Sequence, residues 1–385
     1  MVSVKITDRK DEFAAIRESW TKLYDAQPHR TPFLHWNWFD AFWSEMELGG
    51  RHPAILSAWE GSELIGVAPA QPGSRRFGGI RCVVGGGLEN EHSPQFNWIL
   101  APEPEKAQAS ARVLVGALGD LVGHRHALAW NNAPAGDPTT LTVLRALTDA
   151  GYRVYLKPDR YQRLIRFPNG ADHLVSTLSA NMRQRLRRGW KNLERRGQIG
   201  FENVAGSPEL DVHLNAAWTL ERESWKGRAG SAVALNPALR RFYDELAAKL
   251  APEKMILLFM LRCDDTLVAF AYCALDRGTV FGIKLSYNED FASASPGYLL
   301  ICKIMEWAHA RGISALNLGG HESMFKAHWG GEPIEIASLY AFQRSFTGTY
   351  MYAAHIGWKE ALKQLPGMTS IKTLRDARRQ RQAGR

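Results

Sequence analysis

Two stretches of this 385-residue chain echo one another, and that echo narrows the available folds more than any other feature. "AILSAWEGSELIGVAPAQ" (54–71) reads as an apolar strand, a Gly-containing turn and a second strand. "ILLFMLRCDDTLVAFAYCAL" (256–275) reads the same way, its second strand again opening on Leu and a branched residue. A second pair of segments follows in the same order. "ARVLVGALGDLVGHRHALAWNNA" (111–133) predicts a helix running into a short strand, and so does "YLLICKIMEWAHARGISALNLGG" (298–320). Two similar units about 190–200 residues apart indicate an internal duplication. The length agrees, being long for one hydrophobic core and comfortable for two. Strand hairpins mixed with helices exclude an all-parallel doubly wound sheet. They predict an α/β (α+β) fold in which each unit is a mixed, mostly antiparallel sheet flanked by helices. The boundary is expected near 160–172, where "FPNGADH" breaks the pattern with Pro and Gly.

Several function classes lack their signatures. No GxGxxG follows a strand and there is no Walker loop; "GGG" at Gly85 to Gly87 reads as a turn after the strand "IRCVV" rather than a phosphate cradle. No HExxH or Cys/His pattern calls for a metal. Cys82, Cys263, Cys273 and Cys302 include no CxxC pair and are expected as reduced core residues of a cytoplasmic protein. No apolar run approaches the ~20 residues of a membrane span, and no secretory pattern opens the chain. Phe13, Ile16, Trp20 and Leu23 predict a helix over 8–25, and Phe39, Phe42 and Trp43 fit one face of another.

The net charge of +9 is unevenly spread. In "MRQRLRRGWKNLERRG" (182–197), Met182, Leu186, Trp190 and Leu193 make a buried stripe. Arg183, Arg185, Arg187, Arg188, Lys191, Arg195 and Arg196 take the other faces, opposed only by Glu194. A second basic run forms the tail, 373–385. A basic helix is usually just a solvated face, but this density favours an anionic partner: carrier phosphates, a membrane surface or tRNA.

"SASPGYLLICKIMEWAHARG" (293–312) starts a helix with small residues. Pro296 suits the first turn, Ser295 is placed to cap, Gly297 leaves the backbone uncovered, and Leu300, Ile304 and either Trp307 or Ala308 supply the buried face. Such a helix start can hold an anion, although the local residues alone favour a capped structural helix.

Tyr287, Asn288, Phe291, Pro296, Gly297, Trp307, Ala308 and Gly312, followed by "LNLGGHESMFKAHWG" (316–330), form a pattern that resembles the GNAT superfamily. Within it the chain is similar to the cellulose-biosynthesis-type (BioF2-like) acetyltransferase branch, related to Fem-type aminoacyltransferases, which have two GNAT-like domains. "ERESWKGRAGSAV" (221–233) and "LSANMRQRLRRGWKNLERRG" (178–197) resemble further blocks of that branch, and the match covers about 171–345. The resemblance implies tandem GNAT-like domains: a degenerate one over 1–165, an acyltransferase domain over 171–350, and a basic helical tail over 351–385. The chain departs from the family at Asn317, where Asp is frequent, and at Phe325, where Tyr often precedes Lys. "ASASPGYL" also replaces the usual pyrophosphate loop.

The implied reaction passes an acyl group from acyl-CoA, acetyl-CoA or an acyl carrier protein to an amine or hydroxyl of a glycan precursor or amino lipid, without a metal. It needs a base, for which His321, Glu223 and Glu322 are candidates, and a proton donor for the thiolate, for which Tyr287 is one. Backbone groups around Ile283 and Leu285 would meet the thioester, and Ser295, Gly297 and Tyr298 the carrier. Trp225, Lys226, Lys326, His92 and Asn97 are candidate acceptor contacts. Each of these residues also reads as an ordinary structural or solvated position. Three other readings stay open: long-chain N-acylation of a sphingoid-like amino lipid, Fem-like transfer from aminoacyl-tRNA, and a non-catalytic binding protein for polysaccharide assembly. The expected location is cytoplasmic, with helix 182–197 available for peripheral contact at the inner membrane.

Overall fold

The computed structural model describes residues 2–46, 52–123, 126–320 and 322–357. The N-terminal half runs β1 (Val2–Thr7), α1 (Lys10–Ala15), α2 (Arg17–Ala26), α3 (Trp36–Glu45), β2 (Ala54–Glu60), β3 (Glu63–Ala70), β4 (Gly73–Phe77), β5 (Ile80–Gly86), β6 (Ile99–Leu100), α4 (Pro104–Val122), β7 (His126–Pro134), α5 (Pro138–Asp149) and β8 (Tyr152–Arg166). The C-terminal half continues with α6 (Ala171–Thr177), α7 (Ala180–Glu194), β9 (Ile199–Asn203), α8 (Leu210–Glu223), α9 (Trp225–Arg228), α10 (Pro237–Leu250), β10 (Ile256–Cys263), β11 (Thr266–Asp276), β12 (Thr279–Tyr287), α11 (Pro296–His309), β13 (Ala315–Asn317), α12 (Met324–Ala327), β14 (Glu332–Gln343) and α13 (Phe346–Tyr352).

The duplicated pattern appears as two hairpins, β2–β3 and β10–β11, both antiparallel. Downstream of each, a strand, a helix and a parallel strand recur: β5, α4 and β7 in the first unit, β12, α11 and β13 in the second. The units share their strands. A ten-stranded mixed sheet has the order β4-β5-β7-β14-β8-β13-β12-β11-β10-β9, beside a four-stranded sheet β1-β2-β3-β6. β14, from the far end of the chain, lies between β7 and β8. The expected boundary, 160–172, spans the end of β8, the short loop after it and the first residues of α6, yet β8 pairs with both β13 and β14, so the sheet is continuous across it.

Local chemistry accounts for the helix starts. Asp137 accepts from the Thr139 and Thr140 N–H groups at α5, Ser179 from Met182 N–H at α7, and Asn236 from Leu239 N–H at α10. Two local expectations are corrected. The helix foreseen over 8–25 breaks at Ile16 into α1 and α2, because Ile16 leaves the helical conformation to cap one and start the other. Gly85 and Gly86 belong to β5 rather than to a turn. A Cβ on Gly85 would press on Leu128 and Leu118, so the strand needs glycine to lie against α4.

One core cluster joins both halves: Trp38 packs edge-on against Phe242 at 5.3 Å and Phe33 against Phe281 at 5.6 Å. The second lies under α7 and α11 and includes Leu186, Phe259, Leu299 and Ile304. The four cysteines are buried. Among the described residues no helix is long and apolar enough to cross a membrane. Residues 358–385, with most of the expected basic tail, lie outside the described residues.

Candidate active site at the parting of two strands

β12 and β13 run side by side for three residues only, Thr279, Val280 and Phe281 facing Ala315, Leu316 and Asn317. β12 continues to Tyr287 while the chain leaves β13 through Gly319 and Gly320, at φ +56° and +52°. A Cβ on Gly319 would overlap the Gly282 carbonyl, so glycine is required where the strands separate. Asn317 holds this turn: its Oδ1 accepts from Gly319 N–H at 2.8 Å and its Nδ2 donates to Gln162 Oε1 at 3.1 Å. Beyond Phe281 the β13-facing edge of β12 has no strand partner among the described residues.

A bulge sets what faces each side of this opening. Cys273 pairs with Gly282 and Tyr272 with Lys284, leaving Ile283 as the extra residue. Side chains beyond the bulge therefore swap faces. Leu285 and Tyr287 join the cluster under α7 and α11, while Lys284 lies over the Tyr243 ring, 5.2 Å from its centroid, on the α8–α10 side.

On that side Glu221 is wholly buried. Its carboxylate accepts from Lys226 Nζ at 2.8 Å and from Val233 N–H at 2.9 Å. Lys226 Nζ also donates to Leu285 O of β12 at 2.7 Å. On the opposite lip, Lys326 Nζ donates to Gly319 O. An ammonium thus stands at each lip of the opening. Burial pushes all three lysines down. For Lys226 and Lys284 the Glu221 charge opposes the shift. Lys326 falls to about 8, burial being reinforced by Arg160 and Lys226 and opposed by Glu322. His92 is lowered to about 4 by burial and by Lys284, so it is neutral at pH 7.

The other side is built by α7 and α11. Ser295, the residue before α11, adopts the left-handed conformation at φ +54° and its hydroxyl makes no capping bond, contrary to the capping role expected of it. A groove of about 560 Å³ runs past it, lined by Arg185, Arg188, Asn192 and Ser293 among others. Arg185 stacks over the Tyr298 ring at 4.9 Å, and Arg196 donates to Asp290 O at 2.5 Å. Gly189 lets α7 come this close, because a Cβ there would overlap the Ala294 carbonyl. Gly189→Ala is accordingly expected to cost about 1–3 kcal/mol of stability, as overpacking against fixed backbone does; urea unfolding measures it. Gly297 is buried, and a Cβ on it would sit 3.4 Å from Leu285 and 3.6 Å from Phe325, so the helix start opens towards Ser295 rather than at Gly297 itself.

The residues singled out in the sequence are distributed as follows. Ile283, Leu285, Tyr287, Lys226, Lys326 and His92 surround the strand opening, and Ser295, Gly297 and Tyr298 flank its α11 side. The Tyr298 hydroxyl is shared with His328 Nδ1 at 2.8 Å. Tyr287 is half-buried and its phenol makes no hydrogen bond among the described residues. Trp225 is exposed beside the cleft, its backbone N–H donating to Glu289. Glu223 is exposed at the end of α8, away from the cluster that its neighbour Glu221 enters. Asn97 is buried elsewhere, donating to Asp137 and Thr140 at 2.9 Å, where it braces the start of α5. Glu322 pairs with Arg163 at 3.0 Å. His321 lies outside the described residues. Glu221, Lys284, Arg185 and Arg188 were not singled out individually as site residues. Glu221 carried a signal, because Leu214, Ala217, Trp218 and Glu221 fall on one helical face.

The N-terminal unit is closed at the equivalent point. β5 stays paired with β7 to its last residue, Gly86 opposite Ala129, and α4 opens on Pro104 between Glu103 and Glu105, two carboxylates that repel an anion.

Residues 180–327 match the family model described as an acetyltransferase (GNAT) domain. No curated protein matches the chain. Among solved structures it is similar to FemX, at 11% identity and a TM-score of 0.58 over 90% of this chain and 98% of that one. It is also similar to the C-terminal domain of a putative lysylphosphatidylglycerol synthetase from Agrobacterium fabrum, at 15% identity and a TM-score of 0.51, covering 89% and 95%. At these identities the likenesses concern the fold. The parted strands and the helix start beside them lie within the segment that matches the acetyltransferase (GNAT) domain model.

Proposed function

We propose that this protein is an N-acyltransferase that takes its acyl group from an acyl-CoA thioester and passes it to an amine. The observation that carries this reading is the unpartnered length of β12 beyond Phe281, opening between Lys226 and Lys326. Backbone N–H groups on that edge suit the oxygen of a thioester carbonyl as it gains charge. Arg185, Arg188 and the start of α11 at Ser295 suit the carrier's phosphates.

In this reading the acceptor nitrogen attacks the carbonyl carbon, the C–N bond forms and the C–S bond breaks. Lys326 takes the proton that the nitrogen loses, and Tyr287 supplies one to the departing thiolate. Lys326 is suited to that role because its lowered pKa leaves about a tenth of it neutral at pH 7. The basic face of α7 then serves the carrier first, since its Arg185 already reaches Tyr298 of α11.

Calorimetric titration of the full chain with acetyl-CoA tests the donor site. Charge-assisted hydrogen bonds are worth about 1.5–3 kcal/mol, so Arg185→Ser combined with Arg188→Ser should weaken binding by at least roughly tenfold. Equal affinity in the double variant removes the groove from the site. Wild-type protein that neither binds acetyl-CoA nor releases thiol with any amine overturns the reading, and transfer that requires aminoacyl-tRNA replaces the donor.

A further inference from the structure

Of the three lysines around the opening, Lys284 alone has no hydrogen-bond or ion-pair partner among the described residues. Lys226 is paired with Glu221, and Lys326 rests on the Gly319 carbonyl. Among the described residues Lys284 makes no ion pair and no hydrogen bond; its close neighbour is the face of Tyr243. Two carboxylates act on it from a distance, Glu221 and Glu91. Glu221 is already bonded to Lys226 and Val233, and the Glu91 side chain is 87% exposed. His92, which feels Lys284, is uncharged. Arg160, which acts on Lys326, has its own partners in Asp159 at 3.2 Å, Pro94 O and Asn132 Oδ1. The half-buried centre therefore holds more ammonium than carboxylate, and an unpaired charge out of water is costly unless something anionic meets it.

The bulge at Ile283 decides which substrate that is. It turns Lys284 to the α8–α10 face, away from α7 and α11, where the carrier's phosphates have their own arginines. We infer that the amine acceptor carries an anionic group, a phosphate or a carboxylate, and that Lys284 receives it on the α8 side of the parted strands. The inference takes its word "acceptor" from the acyl-transfer reading. The anion site itself stands on the arrangement of side chains.

The test pairs acceptors that differ in one anionic group, with acetyl-CoA as donor and the full chain as enzyme. Ethanolamine is set against phosphoethanolamine for phosphate, and β-alaninamide against β-alanine for carboxylate. One charged hydrogen bond is worth roughly tenfold or more, so the anionic member of at least one pair should have a kcat/KM higher by that factor. Lys284→Gln should erase the preference by raising KM for the anionic member, with kcat and the neutral member unchanged, and Lys284→Arg should keep it. Equal use of both members by the wild type, or a preference that survives Lys284→Gln, overturns the inference. Should no amine be acylated, the melting temperature under inorganic phosphate and under β-alanine decides. A rise in the wild type that Lys284→Gln abolishes supports the site, and equal shifts or none overturn it. Acetyl-CoA binding by the same preparations reports on the donor reading separately.

Discussion

Lys326→Met should lower kcat/KM for acyl transfer by about 10²–10⁴, the range a positioned proton acceptor contributes, while leaving the acetyl-CoA dissociation constant unchanged. The pH profile adds a second readout. Burial lowers Lys326 from 10.5 to about 8, so its neutral, proton-accepting form grows about tenfold per pH unit below 8 and saturates above it. Wild-type kcat/KM should accordingly climb with pH and level off past about 8, and the Met variant should lose that rise. Lys326→Arg should be as slow as Met, because a guanidinium keeps its proton. An undiminished rate in Lys326→Met, with the same pH profile, would assign the base elsewhere, His321 being next in line.

The largest expected effect on stability belongs to Glu221. Its carboxylate is wholly buried and bonds both Lys226 Nζ and Val233 N–H. Glu221→Ala leaves the Lys226 ammonium without its counter-ion in a site already closed to most solvent, and breaking a buried pair in this way costs about 3–5 kcal/mol. Denaturant unfolding followed by fluorescence reads this directly. Replacing both partners, Glu221→Leu with Lys226→Met, should recover most of the loss, because no charge is then stranded. The same double variant should still transfer acyl groups poorly, since Lys226 also holds the Leu285 carbonyl on the lip of the opening. A Glu221→Ala variant that unfolds within about 1 kcal/mol of wild type would mean that the pair is not formed in solution.

The N-terminal unit repeats the hairpin and the parallel strand pair of the second, but divides them between two sheets and lacks the opening. Its equivalent strands stay paired, and acidic residues occupy the equivalent helix start. The physical consequence is a division of labour: one unit parts its strands, and the other supplies packing and the His92 edge that faces Lys284.

What could be read from the sequence was local. The hairpins β2–β3 and β10–β11, the helix opening at Pro296 and the buried stripe of α7 follow from alternation, turn chemistry and helical periodicity, each set within a dozen or so residues. The duplication was legible for the same reason, since two copies of a local pattern in one order require no knowledge of contacts. The opening itself was not legible. It depends on β13 ending three residues into its pairing with β12, on β14 crossing from the far end of the chain to join β7 and β8, and on one extra residue, Ile283, that turns Lys284 away from α11. Register and strand order arise between segments distant in sequence, and a single-residue shift reverses which face a side chain takes. For that reason the chain's pattern alone determined the units and many of the residues that line the site, whereas only their assembly decided that Lys284 would lie on the same side of the sheet as Glu221, and that Glu223 and Asn97 would stand apart.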